Sequence, residues 1–434
     1  MNFQVHTFGC KVNTYDSGLI QKNLRGSSLQ LDPQVKIHVL NTCAVTAEAT
    51  KEAVRSIRRI KAKDPLATVV VTGCAAQVDT DSFRNLPGAD LVVANSHKGL
   101  LPQILDQYFK GEIKEKVFKS NIFRKDDLEM GGGEELSHTR SFLKIQDGCN
   151  SFCTYCIIPY ARGKSRSIPI SELVKRIQDL QVKGVNEVVL TGVHIGDYDD
   201  QGKALEDLLE ALLLKTKMPR FRLSSLEPVE LSDRLIELYQ DERLCPHFHM
   251  SIQSAETETL KQMKRKYSQE NVREALEKIQ RKLPVAFVGM DVITGFPTET
   301  EAQFEETFAT LAELPWTRIH VFPYSERPGT RAASLEVSIP WNDRLKRAQK
   351  LRELSLHRYQ SEALRQKGSL KKVLLLKKET RGGAQGLSRD YWNIRMTNLD
   401  GQMPDSSGEL LVKVTGYEHN PQHMEGVLLA EVVS

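Results

Sequence analysis

Cys149-Asn150-Ser151-Phe152-Cys153-Thr154-Tyr155-Cys156 is the stretch around which this 434-residue chain is organised. Three cysteines fall within eight residues, with an aromatic residue just before the last. Three thiolates form a soft metal site, but one ligand short of the closed tetrahedron a structural zinc prefers. A cubane iron–sulfur cluster can be held by three cysteines while one iron stays open to a substrate. No fourth ligand of zinc-like spacing follows, and the nearest histidines, His138 and His194, read as surface or turn residues.

The loop's neighbours define the fold around it. Arg140–Gln146 reads as a strand that delivers Cys149, and five further strands follow: Glu187–Thr191, Arg220–Ser224, His247–Ile252, Ala286–Thr294 and Arg318–Pro323. Helical patterns fill the gaps, at Ile170–Lys183, Ala204–Leu214, Asp233–Leu238, Asn271–Lys282 and Thr300–Leu314. Six βα units predict a partial (βα)6 barrel, smaller than the eight-unit closure, with its chemistry at the C-terminal ends of the strands. There lie Thr191-Gly192, Ser225, Glu227, Gln253, Ser254 and the run from Gly289 to Gly295, a rim suited to a polar cofactor.

Upstream, strands at Phe3–Thr7, Lys36–Asn41, Thr68–Thr72 and Leu91–Ala94 alternate with helices at Tyr15–Leu24, Ala47–Lys61 and Leu100–Phe109. This alternation predicts a doubly wound parallel sheet with helices on both faces. Cys10, Cys43 and Cys74 each stand at a strand exit, in Gly9-Cys10, Asn41-Thr42-Cys43 and Thr72-Gly73-Cys74. Neighbouring parallel strands lie about 5 Å apart, so three distant cysteines can converge on a second three-thiolate site. The bland alternative is three small buried residues ending strands. Cys245 has no partner in sequence and reads as a buried bystander.

The chain is 40% hydrophobic and 27% charged with net charge +4, ordinary for a soluble protein, and no apolar run suits a bilayer, so a cytoplasmic location is expected. Expected boundaries are 1–118 for the first domain, 119–137 for a Gly- and acid-rich linker, 138–367 for the barrel and 368–434 for a small β-barrel. That last module shows strands at Lys371–Lys377, Trp392–Met396, Leu410–Thr415 and Leu428–Val432 after a long basic helix, Trp341–Gln366. Its Lys371, Lys372, Lys377, Lys378, Arg381, Arg389 and Arg395, mixed with Tyr391 and Trp392, suit phosphate contact and base stacking. The far half is acidic at Asp400, Asp405, Glu409, Glu418 and Glu425, which makes the basic face one-sided. Lys51 to Lys63 is a second basic run; such runs are usually solvated helix faces.

With those residues in view, the Cys149 triplet, Tyr155 and the following barrel resemble the radical S-adenosylmethionine superfamily. Thr7-Phe8-Gly9-Cys10-Lys11-Val12-Asn13, Asn41-Thr42-Cys43, Val71-Thr72-Gly73-Cys74 and Ile158-Pro159-Tyr160-Ala161-Arg162-Gly163 resemble the motifs of its methylthiotransferases, and the tail resembles a TRAM domain, a small RNA-binding barrel. Gly-Cys-Lys-Val-Asn is most similar to the branch that acts on N6-threonylcarbamoyladenosine beside the tRNA anticodon. Ala255 after Gln253-Ser254, and Thr298-Glu299-Thr300 after Phe296-Pro297, depart from the family pattern. The resemblance implies one [4Fe–4S] cluster on Cys149, Cys153 and Cys156 and another on Cys10, Cys43 and Cys74. It also implies S-adenosylmethionine bordered by Tyr155, Gly192, Glu227, Gln253, Gly289 and Gly295. Implied partners are the tRNA anticodon stem-loop, an electron donor such as flavodoxin or ferredoxin, and a sulfur donor that the motifs do not identify. Alternatives are the same chemistry on N6-isopentenyladenosine or on a ribosomal protein aspartate, and a non-catalytic iron–sulfur RNA-binding protein.

Overall fold

The computed structural model describes residues 2–27, 29, 34–125, 139–380 (backbone alone for 377–380), 383–397, 408–419 and 426–433. His138, the acidic stretch 126–135, Arg381, Asp400, Asp405 and Glu425 lie outside the described residues, as do the side chains of Lys377 and Lys378.

Five parallel strands, β1 (Asn2–Thr7), β2 (Lys36–Thr42), β3 (Thr68–Gly73), β4 (Leu91–Ala94) and β5 (Val117–Phe118), form the first sheet in chain order. Valine-rich β3 and β4 are buried along their whole length, as strands covered on both faces should be. Ile20 and Leu24 of the helix Lys11–Arg25 share one core with Leu101, Ile104 and Leu105 of Leu101–Phe109. Ile57 of Ala47–Lys63 and Phe83 cover the other face. The two-residue β5 and the short helices Cys74–Val78 and Thr80–Arg84 carry too little periodicity to be expected.

After β6 (Arg140–Lys144), a small antiparallel pair, β7 (Gln146–Asp147) and β8 (Arg166–Ser167), brackets the cysteine loop. The barrel continues through β9 (Glu187–Thr191), β10 (Arg220–Leu223), β11 (Ser225–Leu226), β12 (His247–Gln253), β13 (Phe287–Thr294) and β14 (Arg318–Pro323). β6, β9 and β10 pair in one parallel sheet and β11 to β14 in another. Only Ser224 separates β10 from β11, so the chain passes from one sheet to the other and six strand positions stand in order.

The basic helix Trp341–Arg365 is a clamp more than a free cationic face. Arg347 pairs with buried Glu299 at 2.7 Å, Lys350 with Glu305 at 2.6 Å, and Arg352 and Arg358 donate to the Val321 and Leu314 carbonyls at 3.1 and 3.0 Å. Beyond it, β15 (Leu370–Thr380), β16 (Gly383–Ser388), β17 (Asn393–Thr397), β18 (Glu409–Glu418) and β19 (Val427–Val432) close a barrel in the order β15-β16-β17-β19-β18.

The expected RNA-stacking face of this barrel is corrected by its packing. Trp392 is in the core, and Tyr391 stacks on His247 of β12 at 3.8 Å between centroids, with Arg222 over its ring. Lys371 is buried against Asp390, Lys372 meets Glu242 and Arg389 meets Glu409, while Arg395 pairs with Glu418 at 2.7 Å. Aromatic area is worth more buried at an interface than left in water, and these cations follow it as ion pairs.

Candidate metal centres and the cavity between them

Cys149 opens the loop between β7 and β8, its N–H donating to the Gly163 carbonyl at 3.1 Å. The loop turns through Phe152, a non-glycine residue at φ +46°. Its three sulfurs are met by donors, Cys156 by the Ile158 backbone N–H. Ser151 N–H lies 3.4 Å from Cys149 Sγ, His194 Nδ1 3.9 Å from the same atom, and Arg265 Nη1 3.1 Å from Cys153 Sγ. Burial and the other two cysteines push the Cys156 thiol up to about 12. Cys149 moves the other way: burial would raise it, but hydrogen bonds from His194 and Ser151 prevail and lower it.

His194 is therefore a site residue, contrary to its reading as a turn residue. Burial would lower its pKa, but contact with Cys149 and with Glu230 at 2.5 Å holds it up to about 11. Arg265 ties the same group together. It donates to Tyr267 at 2.8 Å and to the Ser251 carbonyl at 3.0 Å, and pairs with Glu227 at 2.9 Å. Sequence offered no sign of it: Lys264-Arg265-Lys266 looks like a solvated charge run.

The second group forms where β1, β2 and β3 end. Gly9 and Gly73 precede two of its cysteines at φ +94°. A Cβ on Gly9 would stand 2.6 Å from Cys43 Sγ, and one on Gly73 2.4 Å from the Thr42 carbonyl oxygen, so only glycine permits this approach. Asn13 donates to the Phe8 and Thr42 carbonyls at 2.7 and 3.1 Å, stitching two of the exits together. Burial, then the charge of Cys74, pushes the Cys43 thiol up to about 12. Burial also raises Cys10, which opens to solvent, with Arg162 opposing. Val45 N–H reaches Cys43 Sγ at 3.4 Å and Asn95 reaches Cys74 Sγ at 3.6 Å.

A buried ion network joins the two groups. Asp16 binds Lys98 at 2.8 Å, Lys144 at 2.7 Å and Arg162 at 3.0 Å; Asp147, two residues before Cys149, binds Lys144 and Arg162, both at 2.9 Å. Three cations against two carboxylates leave one formal positive charge beside the cysteines. Both donor sets, three sulfurs met by N–H groups and backed by cations, fit an anionic iron–sulfur cluster with one iron free of protein ligand.

Between the groups lies a cavity of about 220 Å³, lined by Val45 and Thr46 from the first sheet's loops and by Tyr155, Cys156, Gln253, Asp291 and Tyr324 from the barrel. Tyr155 and Gln253 thus meet in it, Gln253 at φ +61°. Glu227 stands with Arg265 and His194 beside the Cys149 loop. Like Glu227, the three glycines do not line this cavity. A Cβ on Gly192 would press on Gln146, whose Oε1 accepts from the Val193 and His194 N–H groups at 3.1 and 2.9 Å. Gly289 is the third residue of β13, opposite His249 and Arg318, and Gly295 turns at φ +69° against Arg344. Cys245 is buried, away from both groups beneath Arg220 and Arg222.

Residues 143–311 match the radical SAM superfamily, and residues 2–94 an uncharacterized protein family, UPF0004. The chain is 36% identical over 382 residues to threonylcarbamoyladenosine tRNA methylthiotransferase MtaB of Aquifex aeolicus, covering 87% of this chain and 93% of that protein. With the Bacillus subtilis protein of the same name it shares 36% over 361 residues, 81% of this chain and 79% of that one. It is 31% identical over 432 residues to tRNA-2-methylthio-N(6)-dimethylallyladenosine synthase of Syntrophotalea carbinolica, covering 94% and 96%. Among solved structures, the radical S-adenosylmethionine methyltransferase TsrM from Kitasatospora setae aligns at TM-score 0.51 and 14% identity over 70% of this chain and 64% of that one, a likeness of fold. Two three-cysteine groups flanking one cavity, which Cys156 lines directly and Cys43 approaches through its neighbour Val45, and relatives matched over nearly their whole length lead to one conclusion: the chain belongs to the radical S-adenosylmethionine methylthiotransferase family.

Proposed function

We propose that this protein is a tRNA methylthiotransferase that adds a methylthio group to C2 of N6-threonylcarbamoyladenosine beside the anticodon. The observation that carries the reading is the cavity lined by Cys156 of one cysteine group and by Val45 and Thr46, which follow Cys43 of the other. Relatives named for threonylcarbamoyladenosine, at 36% identity, supply the substrate. In this reading Cys149, Cys153 and Cys156 hold one [4Fe–4S] cluster, Cys10, Cys43 and Cys74 hold the other, and Tyr155, Gln253 and Glu227 border S-adenosylmethionine. The bound cofactors supply reductive cleavage of the sulfonium, hydrogen removal from an unreactive adenine carbon, and the sulfur and methyl to be transferred.

The chain's own residues bind, orient and shield. Arg265 and Glu227, a cation and an anion beside Cys153, suit the carboxylate and amino groups of an amino acid moiety. His194, held protonated by Glu230, keeps positive charge against Cys149 across the neutral range. Ile157, Ile293 and Phe322 line the cavity with apolar surface that limits water around reactive species. The domains are 1–118, 138–367 and 368–434, joined by 119–137. The enzyme works in the cytoplasm with a one-electron donor such as flavodoxin or ferredoxin; among the described residues no helix is long and apolar enough to cross a membrane.

The test is nucleoside mass spectrometry of tRNA from cells lacking the gene. The 2-methylthio derivative of threonylcarbamoyladenosine should vanish while its unmethylthiolated precursor accumulates. An unchanged nucleoside profile would sink the assignment, and loss of the isopentenyl derivative instead would reassign the substrate. Anaerobic reconstitution should load about eight irons per chain. Cys43→Ala should lower that to about four and abolish methylthio product while 5′-deoxyadenosine is still formed.

A further inference from the structure

Outside the cavity between the cysteine groups lies a second one of about 600 Å³, sharing Ile157 and Arg327 with the first. One wall is a single stripe of the helix Ala47–Lys63: Ala47, Thr50, Lys51, Val54, Arg55 and Arg58, residues three and four apart. The basic run is a solvated face, as its sequence suggests, and that exposed face also borders the open cavity. Arg55 is neutralised there by Glu48 at 2.5 Å and Glu52 at 2.7 Å. Among the described residues Lys51, Arg58 and Arg327 form no ion pair, although Glu48 acts on Lys51 and Asp79, which lines the same cavity, acts on Arg327 through space.

Arg327 is the informative one. It follows β14 at the C-terminal rim of the barrel and crosses to the first sheet's helix, donating to Thr50 Oγ1 at 3.2 Å. Burial lowers its pKa, opposed by the charges of Cys43 and Asp79. A half-buried guanidinium without a paired anion is costly and persists where a ligand brings the anion. The first turn of the helix Ala47–Lys63 borders the same space and adds the partial positive charge of its N-terminus.

We propose that Arg327, with Lys51 and Arg58, seats an oxyanion of the substrate RNA beside the reaction cavity and so positions the target nucleotide. The inference rests on the RNA-modifying reading above. The oxyanion has two sources: a backbone phosphate flanking the target adenosine, or the carboxylate of its threonylcarbamoyl group.

Fluorescence anisotropy with full-length protein and anticodon stem-loop RNAs tests it. The RNAs carry adenosine, isopentenyladenosine or threonylcarbamoyladenosine at the target position, and binding is read across a salt series. If a phosphate is seated, Arg327→Gln weakens binding about tenfold for all three RNAs and lowers the salt slope by about one. If the carboxylate is seated, the loss is confined to the threonylcarbamoyl RNA and the other two bind as to wild type. Arg327→Lys, which keeps charge but not the planar fork, should recover part of the affinity. The double variant Lys51→Gln/Arg58→Gln, on an exposed helix face, should weaken binding in the same pattern, whereas Lys215→Gln on an outer barrel helix should not. Wild-type affinity for every RNA in both Arg327→Gln and the double variant overturns the proposal. Because anisotropy reads binding without turnover, that failure is distinct from an unchanged tRNA nucleoside profile.

Discussion

At the residue scale, the cysteine loop depends on Arg265, which joins Cys153 to Glu227 and to the Ser251 carbonyl. A thiol at a strand exit announces its chemistry, because few other side chains bind soft metals. Arg265 announces nothing, because its role depends on Lys264 turning the chain at φ +60° and on Glu227, thirty-eight positions upstream, meeting it at 2.9 Å. Its removal is correspondingly informative. Arg265→Met would leave half-buried Glu227 with His194, at 3.4 Å, as its remaining cation, at a cost of about 2–3 kcal/mol in denaturant unfolding of the apo-protein. Burial already raises the Glu227 pKa. A carboxyl raised in the folded state favours folding below its unfolded value and loses that contribution as pH rises through the folded one. The gap between variant and wild type should therefore be narrower near pH 5 than near pH 8. An equal gap at both would place the cost elsewhere.

At the scale of elements, runs of apolar residues bounded by helical periodicity identify the strands of the first sheet and of the large barrel, since strands covered on two faces have little choice of composition. β16 escaped because Gly-Ala-Gln-Gly-Leu-Ser has no such pattern; it is held by closure of its barrel, where a Cβ on Gly386 would strike the Leu374 carbonyl at 2.7 Å. The docking of the first sheet on the large barrel was equally hidden. It runs through the helix Lys11–Arg25, whose Tyr15 enters the barrel core and accepts from Arg176 at 2.7 Å, and whose Asp16 holds Lys98, Lys144 and Arg162. Asp16→Asn would leave Lys144 and Arg162 with Asp147 alone and strip Lys98 of its carboxylate, and should cost about 3–5 kcal/mol. Hydrogen exchange should show the loss in the helix Lys11–Arg25 and in β6, with the C-terminal barrel protected as before. Uniform loss across all three sheets would mean that the network is not the joint between the first two.

At the scale of the whole molecule, the two ends of the large barrel do different work. The cysteine loops, Gln253 and Arg327 follow the C-terminal ends of the strands, whereas the small barrel packs where the strands begin. There Glu187 meets Arg140, Arg220 and Arg222; Arg220 continues to Glu409 at 2.6 Å, and Arg222 donates to the Arg389 and Ser388 carbonyls at 3.0 and 3.3 Å. Arg220 and Arg222 are wholly buried, and Phe287 packs on Trp392 at 5.2 Å. Removing residues 368–434 therefore does more than delete a small barrel. It strips Arg220 of Glu409 and exposes Phe287, so the remaining chain should melt about 5–10 °C lower. Full-length Glu409→Gln separates the two causes, because it keeps the apolar contact and removes one carboxylate from between Arg220 and Arg389. If the ion pairs carry the docking, the point variant reproduces most of the drop; if the apolar contact does, it reproduces little. A truncated chain that melts with wild type would show that the large barrel is stable without its neighbour and that these contacts only dock the small barrel.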